Sequence, residues 1–538
     1  MCWVPSLTSK LTGIYSLYAD SHSGSRTHRI ALRAPLIAFG LALLCTTIGL
    51  VAEIRYGLNI WDEGFLWYGV QRVWAGEVPI RDFMAYDPGR YYWTAVIASA
   101  WHGRGILDIR IAVAVFQFLG LAAGIGLIGR AIGWHRPIFL LFAGALLTIW
   151  MFPRHKLFDI SLSIMLVALL AWWISRPNAW RHFWTGAALG MVACFGRNHG
   201  LYGFVGCSLA FAWMAFENRR LPSWRHVLAW AGGIVVGFLP VILACLVVPG
   251  FADAFWESIA FLFEVKSTNL PLPIPWPWSA DYVSLPWAEG GRRFLVGACF
   301  ILLLAYPLVG FVSLWRQKDR TSGRHVVLVS TACMALPYAH YAFSRADVGH
   351  LAQSIFPALI GCLVILSSAK TVVRALCALA LGGASACIAL PLHPAFACAT
   401  SGQCCNEVLV SGQRLILNDT TASDVALVRR LINTYAPKGR AFVTTPYWPG
   451  AYALANQRSP LWEIYATPSR TAAFQEAEIG RLKAANPGFV LIMDFPLDNR
   501  EELRYSRTHP VMLKYVQDHF TRVSSSNPNY LIYVARDI

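Results

Sequence analysis

The chain has 538 residues, of which 56% are hydrophobic and only 14% are charged. Soluble domains carry about 25% charged residues, so this composition excludes an ordinary soluble protein. The net charge of +16 does not indicate a nucleic-acid partner. Most basic residues before the C-terminal tail lie in short loops between apolar segments, as in the cytoplasmic loops of membrane proteins.

Repeated long apolar segments predict an α-helical polytopic membrane protein. Residues 1–31 are polar and lack a cleavage site after an apolar core, which predicts a cytoplasmic N-terminal tail rather than a signal peptide. Residues 32–390 form the predicted transmembrane domain. We place eleven spans in it, at residues 32–54, 108–129, 137–152, 159–174, 184–197, 201–216, 227–248, 294–315, 326–343, 354–367 and 371–390.

The segment 91–101 does not fit this series of spans. Its apolar run of about eleven residues is shorter than the ~20 that a span needs, so a re-entrant or surface helix is predicted. With the N-terminus inside, every inner loop is then basic, as the positive-inside rule requires. This topology places the outer loop 55–107 and the tail 391–538 on the same non-cytoplasmic side.

The outer loop concentrates acidic residues among aromatic ones. Five of the chain's 29 acidic residues lie between residues 60 and 93. Asp62 is a candidate general base toward a sugar hydroxyl, and the alternative is that it caps a surface helix that starts at Glu63. Asp82 and Asp87 either join the same pocket or, in the case of Asp87, simply begin an Asp-Pro-Gly turn.

Three smaller outer loops carry Arg and His, against the positive-inside trend. They read FPRHKLFDIS, CFGRNHGLYG and YAFSRADVGHL. Together they predict a shared pocket for an anionic ligand such as a lipid phosphate, whereas each loop alone is more typical of side chains that snorkel toward lipid headgroups. The residues of this predicted set are Arg154, His155, Lys156, Asp159, Arg197, His199, Arg345 and His350.

The tail 391–538 has frequent charges and shorter apolar runs. We predict helices at 422–435, capped by Thr421 or Ser423, and at 471–485 and 511–519, with strands at 440–444, 488–494 and 530–535. The alternation predicts a small α/β domain, which either covers a membrane site, helps to hold an acceptor or is a passive cap. At its start, Cys398 either bonds Cys404 or Cys405 or all three are free thiols.

Several of these features are similar to the GT-C membrane glycosyltransferases. They are the acidic loop directly after the first span, the turn with proline and a tyrosine pair in DFMAYDPGRYYW, and the many spans followed by an outer domain. The nearest resemblance is to the protein O-mannosyltransferase-like superfamily, of the aminoarabinose transferase and rhizobial lipopolysaccharide transferase type. It covers roughly residues 30–390.

The resemblance implies roles for individual residues. Asp62 and Glu63 match the first-loop acids of the family, and Asp62 is then the base or the acid that orients the acceptor. Arg154 and Asp159 resemble the Arg and Asp that flank the outer start of the fourth span. Arg197 stands where relatives often have a basic residue after the sixth span.

The turn departs from the family pattern. Asp87 stands where relatives often have Lys, and Gly89 replaces a second proline. The usual phosphate contact is therefore missing, and Arg90 is the expected replacement.

The resemblance implies an enzyme that moves a sugar, with inversion, from a polyprenyl-phosphate donor to a glycan, lipid or protein acceptor. It also implies a bacterial inner membrane, with the site and the tail domain in the periplasm and a product in the cell envelope, such as lipopolysaccharide. The displacement needs no metal or other cofactor, and no dedicated metal site is evident. The alternatives are a non-catalytic lipid-binding relative or a lipid-linked glycan flippase, which the scarcity of ionisable residues inside the spans disfavours.

Overall fold

A computed structural model describes residues 26–265, 269–316, 320, 322–402 and 406–537. The apolar segments are helical because a helix satisfies its own backbone hydrogen bonds where lipid offers none. The helices of this part are α1 (Arg26–Glu53), α2 (Asp62–Trp74), α3 (Gly89–Ser99), α4 (Ile106–Ile132), α5 (Pro137–Ile149), α6 (Leu157–Ser175), α7 (Ala179–Phe195), α8 (Arg197–Asn218), α9 (Trp224–Val247), α10 (Phe251–Val265), α11 (Trp287–Arg316), α12 (Gly323–Ser344), α13 (Val348–Ser354), α14 (Phe356–Leu366), α15 (Thr371–Ala389) and α16 (Pro394–Ser401).

All eleven predicted spans coincide with helices. Among the described residues, eight helices are long and apolar enough to cross a membrane, or nine if α13 and α14, which meet at a 60° bend, count as one span. Helices α5 and α7 have only 13 and 17 residues, short of the ~20 that a crossing needs. Helix α3, with 11 residues, confirms the prediction of a short helix in this segment.

The middle of the bundle consists of α4, α6 and α12. Their apolar stretches are 67%, 78% and 83% buried, whereas those of α1, α9, α11 and α15 are 17–33% buried. The first three helices therefore carry the protein core, and the latter four present most of their surface outward. The candidate site lies at one end of this core, where α2, α3 and the tail domain cover it.

The tail is a small α/β domain, as predicted. Strands β3 (Val443–Thr445), β4 (Phe489–Met493), β5 (Phe520–Val523) and β6 (Tyr530–Ala535) form one sheet in the order β3-β4-β6-β5, in which only β3 and β4 are parallel. A separate hairpin pairs β1 (Asn406–Val410) with β2 (Gln413–Leu417). The helices are α17 (Asp419–Tyr435), α18 (Pro449–Ala455), α19 (Ala472–Ala485), α20 (Tyr505–Thr508) and α21 (Pro510–His519).

The predicted tail elements are present with shifted ends. The first tail helix begins earlier than predicted, because Asn418, rather than Thr421 or Ser423, caps it by accepting a hydrogen bond from the Thr421 backbone. Cys398 is disulfide-bonded, and the other nine described cysteines are free. The proposed partners, Cys404 and Cys405, lie outside the described residues.

The tail domain packs against the outer loop through α2. Gly64 of α2 and Gly450 of α18 meet so closely that a Cβ on Gly64 would lie 2.6 Å from the Gly450 Cα. The Tyr68 hydroxyl accepts a hydrogen bond from the Ser459 backbone, and the Gln71 side chain donates one to the Ala453 carbonyl. The outer loop and the tail domain therefore form one continuous structure above the bundle.

Candidate active site

The neighbouring acids Asp62 and Glu63 face different surroundings. Helix α2 begins at Asp62, and the Asn59 side chain accepts hydrogen bonds from the Trp61 and Asp62 backbones, both at 2.9 Å. The N-cap position is Trp61, preceded by the Asn59 turn, and the alternative in which Asp62 caps a helix that starts at Glu63 is wrong. Because successive helical side chains point about 100° apart, the two carboxylates point in different directions and have different neighbours.

Glu63 is buried in a dense ion-pair cluster. Both carboxylate oxygens accept from the Arg110 guanidinium, at 2.7 and 2.8 Å, and Arg154 lies 3.7 Å away. Burial raises the pKa of Glu63, but the Arg110 and Arg154 charges outweigh it and lower that pKa to about 2. Glu63 and Arg154 line a cavity of about 360 Å³ with Glu53 and His393. This geometry makes Glu63 an anchor of α2 rather than a proton acceptor.

Asp62 keeps an accessible carboxylate. Its side chain is 35% exposed, and its Oδ2 lies 3.7 Å from His155 Nε2. The Tyr465 hydroxyl of the tail domain donates a hydrogen bond to Oδ1 at 3.3 Å. No arginine or lysine forms an ion pair with Asp62 among the described residues. The carboxylate can therefore accept a proton from a bound molecule.

Tyr86 forms an aromatic platform that Phe65 and Tyr465 connect to Asp62. The ring packs edge-on against Phe65, which in turn contacts Tyr465. The Lys156 ammonium lies 4.6 Å from the centre of the Tyr86 ring and donates to its hydroxyl at 3.3 Å. Within the described part of the chain, no carboxylate lies within ion-pair distance of Lys156. Lys156 is thus a cation available to an anionic ligand.

A buried chain of polar side chains supports this platform. The Arg90 guanidinium, 4.8 Å from the Tyr86 ring centre, donates to Asp159 at 3.1 Å and to the Phe195 carbonyl at 2.8 Å. His199 Nε2 lies 2.8 Å from the same Asp159 oxygen, and its Nδ1 lies 2.8 Å from the Tyr338 hydroxyl. Because buried ion pairs are costly to break, Arg90 and Asp159 hold α3, α6 and α8 together.

The remaining predicted residues are paired elsewhere. Arg197 bonds Asp87 through its guanidinium at 2.6 Å and its backbone N–H at 2.8 Å. Asp87 therefore does more than begin a turn. Asp82 is different, because it is bound locally by Arg81 and by the Val78 backbone.

Arg345 joins the bundle to the tail domain. It donates two hydrogen bonds to Asp498, at 2.7 and 2.8 Å, and one to Asp347, which also binds His350. Arg154, Arg197 and Arg345 thus have separate partners, and of these three only Arg154 lines the cavity beside Glu63. The single shared pocket predicted from the sequence is replaced by several ion-pair clusters, and Asp62 and Lys156 stay outside the arginine–carboxylate pairs.

Sequence reasoning missed three residues of this arrangement. Arg110 was detectable, because an ionisable residue inside a predicted span is itself a functional signal. Tyr86 lies in the acidic loop and was distinguishable from its aromatic neighbours only by structure. No sequence pattern marks Tyr465 as a site residue, because it lies 403 residues from Asp62 in the chain.

Comparison of the sequence with protein-family models and with curated proteins gave no match. The fold is similar to the crystal structure of ArnT from Cupriavidus metallidurans bound to undecaprenyl phosphate, with a TM-score of 0.53 and 13% identity over 93% of this chain and 97% of that one. The archaeal oligosaccharyltransferase AglB from Archaeoglobus fulgidus, in complex with an inhibitory peptide and a dolichol-phosphate, matches with a TM-score of 0.48 and 11% identity, over 93% and 74%. The likeness to ArnT shows that the chain has the predicted GT-C fold, with a membrane-helix bundle and a small β-containing C-terminal region.

Proposed function

We propose that the protein is an integral-membrane glycosyltransferase that takes a sugar from a polyprenyl-phosphate donor. The observation that carries this proposal is that the accessible Asp62 carboxylate faces His155, while the next residue, Lys156, places an available cation on the Tyr86 ring. A base and a cation at one aromatic surface suit attack by a hydroxyl on a sugar whose leaving group is anionic. The fold likeness to an ArnT structure that contains undecaprenyl phosphate supports the choice of donor.

The reaction is a single displacement. Asp62 Oδ2 takes the proton of the acceptor hydroxyl while its oxygen bonds to the anomeric carbon. The bond between that carbon and the phosphate oxygen breaks, and the polyprenyl phosphate leaves with the electron pair. Because attack and departure occur on opposite faces, the anomeric configuration inverts.

Lys156 stabilises the negative charge that develops on the departing phosphate. Lys156 thus takes the phosphate contact that the sequence predicted for Arg90, because the Arg90 guanidinium already binds Asp159 and the Phe195 carbonyl. Arg90, Asp159 and His199 then hold the platform under Tyr86, and Glu63 fixes α2. Arg154 lies in the wall of the neighbouring cavity, where an acceptor can approach from the other side of His155.

The proposed location follows from the charge pattern of the loops. Asp62, Lys156 and the tail domain lie on the non-cytoplasmic side of the predicted topology. In a bacterium this is the periplasmic face of the inner membrane, where a polyprenyl-linked sugar meets glycan, lipid or protein acceptors of the cell envelope.

Mass spectrometry of envelope glycans tests the proposal whichever sugar is transferred. Cells that lack the protein are complemented with wild type, Asp62→Asn or the control Asp537→Asn, whose carboxylate is 60% exposed and paired with Arg440. We expect one glycan modification to depend on the protein, to return with wild type and Asp537→Asn, and to be absent with Asp62→Asn at equal membrane expression. Full modification by Asp62→Asn removes Asp62 from the chemistry and favours a transporter or lipid-binding role.

A further inference from the structure

The tail domain places one side chain directly on the candidate base. Tyr465 lies in the segment between α18 and α19 and reaches Asp62 across the interface between the tail domain and the outer loop. Its hydroxyl lies 3.3 Å from Asp62 Oδ1. Burial and the nearby Asp62 charge raise the pKa of Tyr465 well above its ordinary value, so the phenol remains a donor at physiological pH.

The segment that carries Tyr465 is held from both sides. On the outer-loop side, the Trp462 indole donates to the Ile80 carbonyl at 3.0 Å, and the Trp462 carbonyl accepts from the Met84 backbone at 2.9 Å. On the tail side, the Ala466 backbone donates to the Pro446 carbonyl at 2.8 Å. A residue held this way has a defined position, which is what a positioning group requires.

Stacked aromatic rings fix the same interface next to Asp62. Trp61 stacks on Tyr447 of the tail domain, with ring centres 4.3 Å apart and planes inclined by 12°. Phe65, one helical turn from Asp62, meets the Tyr465 ring edge-on at 5.8 Å. The phenol therefore approaches the carboxylate along a direction that neither partner can easily change.

The geometry points to Tyr465 as a positioning residue that holds Asp62 Oδ1 and leaves Oδ2 free to accept the proton of the acceptor hydroxyl. This inference rests on the proposed function for its catalytic consequence. It makes the tail domain a contributor to the active site rather than a passive cap. A carboxylate held by one oxygen presents the other in a single orientation, and proton transfer requires such alignment.

Tyr465→Phe removes the hydroxyl and keeps the ring. The matched control is Tyr530→Phe, which deletes another tyrosine–aspartate hydrogen bond of the tail domain, from Tyr530 to Asp424 at 3.1 Å. With purified protein in lipid nanodiscs, we expect kcat of Tyr465→Phe to fall about ten-fold or more, with little change in the KM for donor. Tyr530→Phe should match wild type in both respects.

A second measurement does not depend on sugar transfer. A water-soluble carbodiimide with glycine ethyl ester converts accessible carboxyl groups to amides, and peptide mass spectrometry reports how fast Asp62 is modified at one fixed pH. We expect Asp62 to be modified faster in Tyr465→Phe, because Oδ1 no longer accepts a hydrogen bond from the phenol, and at the wild-type rate in Tyr530→Phe. If both this rate and kcat are unchanged in Tyr465→Phe, the positioning role is overturned, and an inactive Asp62→Asn variant still upholds the glycosyltransferase. If wild type transfers no sugar, the proposed function fails, and the modification experiment alone decides whether Tyr465 holds Asp62.

Discussion

At the scale of single residues, two adjacent acids illustrate what sequence can and cannot predict. The pattern identifies Asp62 and Glu63 as important and separates their directions by helical geometry. The sequence pattern does not predict which of the two acids contacts Arg110, because that contact depends on how α2 packs against α4. Arg110 and Arg154 neutralise Glu63, so Asp62 is the acid that remains accessible.

The Glu63 cluster should be a major source of stability with a defined pH dependence. The pKa of Glu63 is about 2 in the folded protein, below the about 4.3 of an unperturbed Glu. Its stabilising contribution is thus complete above pH of about 4.3 and is lost as the pH falls toward 2. Glu63→Gln should lower the free energy of unfolding by about 3–5 kcal/mol at neutral pH, because Arg110 is left buried without its partner.

Thermal unfolding in detergent, followed by tryptophan fluorescence, measures this effect. The control is Glu407→Gln, whose side chain is 59% exposed and paired with Arg414. We expect that control to shift stability by about 1 kcal/mol or less. An unchanged Tm for Glu63→Gln, or a difference from wild type that persists at pH of about 2, contradicts the anchoring role.

At the scale of elements, glycine determines how two helices of the bundle pack. Helices α7 and α9 carry Gly-x-x-x-Gly patterns, at Gly186 and Gly190 and at Gly233 and Gly237. A Cβ on Gly237 would overlap the Ala187 carbonyl oxygen. Small residues at this spacing let helix backbones approach closely in a membrane.

Gly237→Ala should therefore force the two helices apart and lower stability by roughly 1–3 kcal/mol. Gly232→Ala is the matched control, because a Cβ there meets nothing within 4 Å. Both variants are compared by thermal unfolding in the same detergent. Equal Tm values for the two variants contradict the close packing of α7 and α9.

The elements themselves were predictable to different degrees. Every apolar segment predicted as a span is helical, because apolar length alone identifies such segments. The β1–β2 hairpin and β5 were missed. These strands have only four or five residues each, and strands this short are stabilised by their pairing partners rather than marked by a local pattern.

At the scale of the whole molecule, the outer loop and the tail domain form one unit around the candidate site. The positive-inside rule, applied to the loops of the predicted spans, places both on the same side of the membrane. Their contacts were not predictable, because residues some 400 positions apart in the chain are joined only by folding. The contacts Gly64–Gly450, Tyr68–Ser459 and Asp62–Tyr465 make the tail domain part of the site.

We propose that Asp62 accepts the proton in sugar transfer from a polyprenyl-phosphate donor. The most direct test is the rate at which purified protein in nanodiscs releases polyprenyl phosphate from a polyprenyl-phosphate-linked sugar, in the presence of the acceptor that the envelope comparison identifies. We expect Asp62→Asn to slow this release by about 10²–10⁴-fold, the usual contribution of a general base, while it still binds polyprenyl phosphate as wild type does. Release by Asp62→Asn at the wild-type rate would contradict the role of Asp62 as the base, and no release by wild type would contradict the proposed reaction.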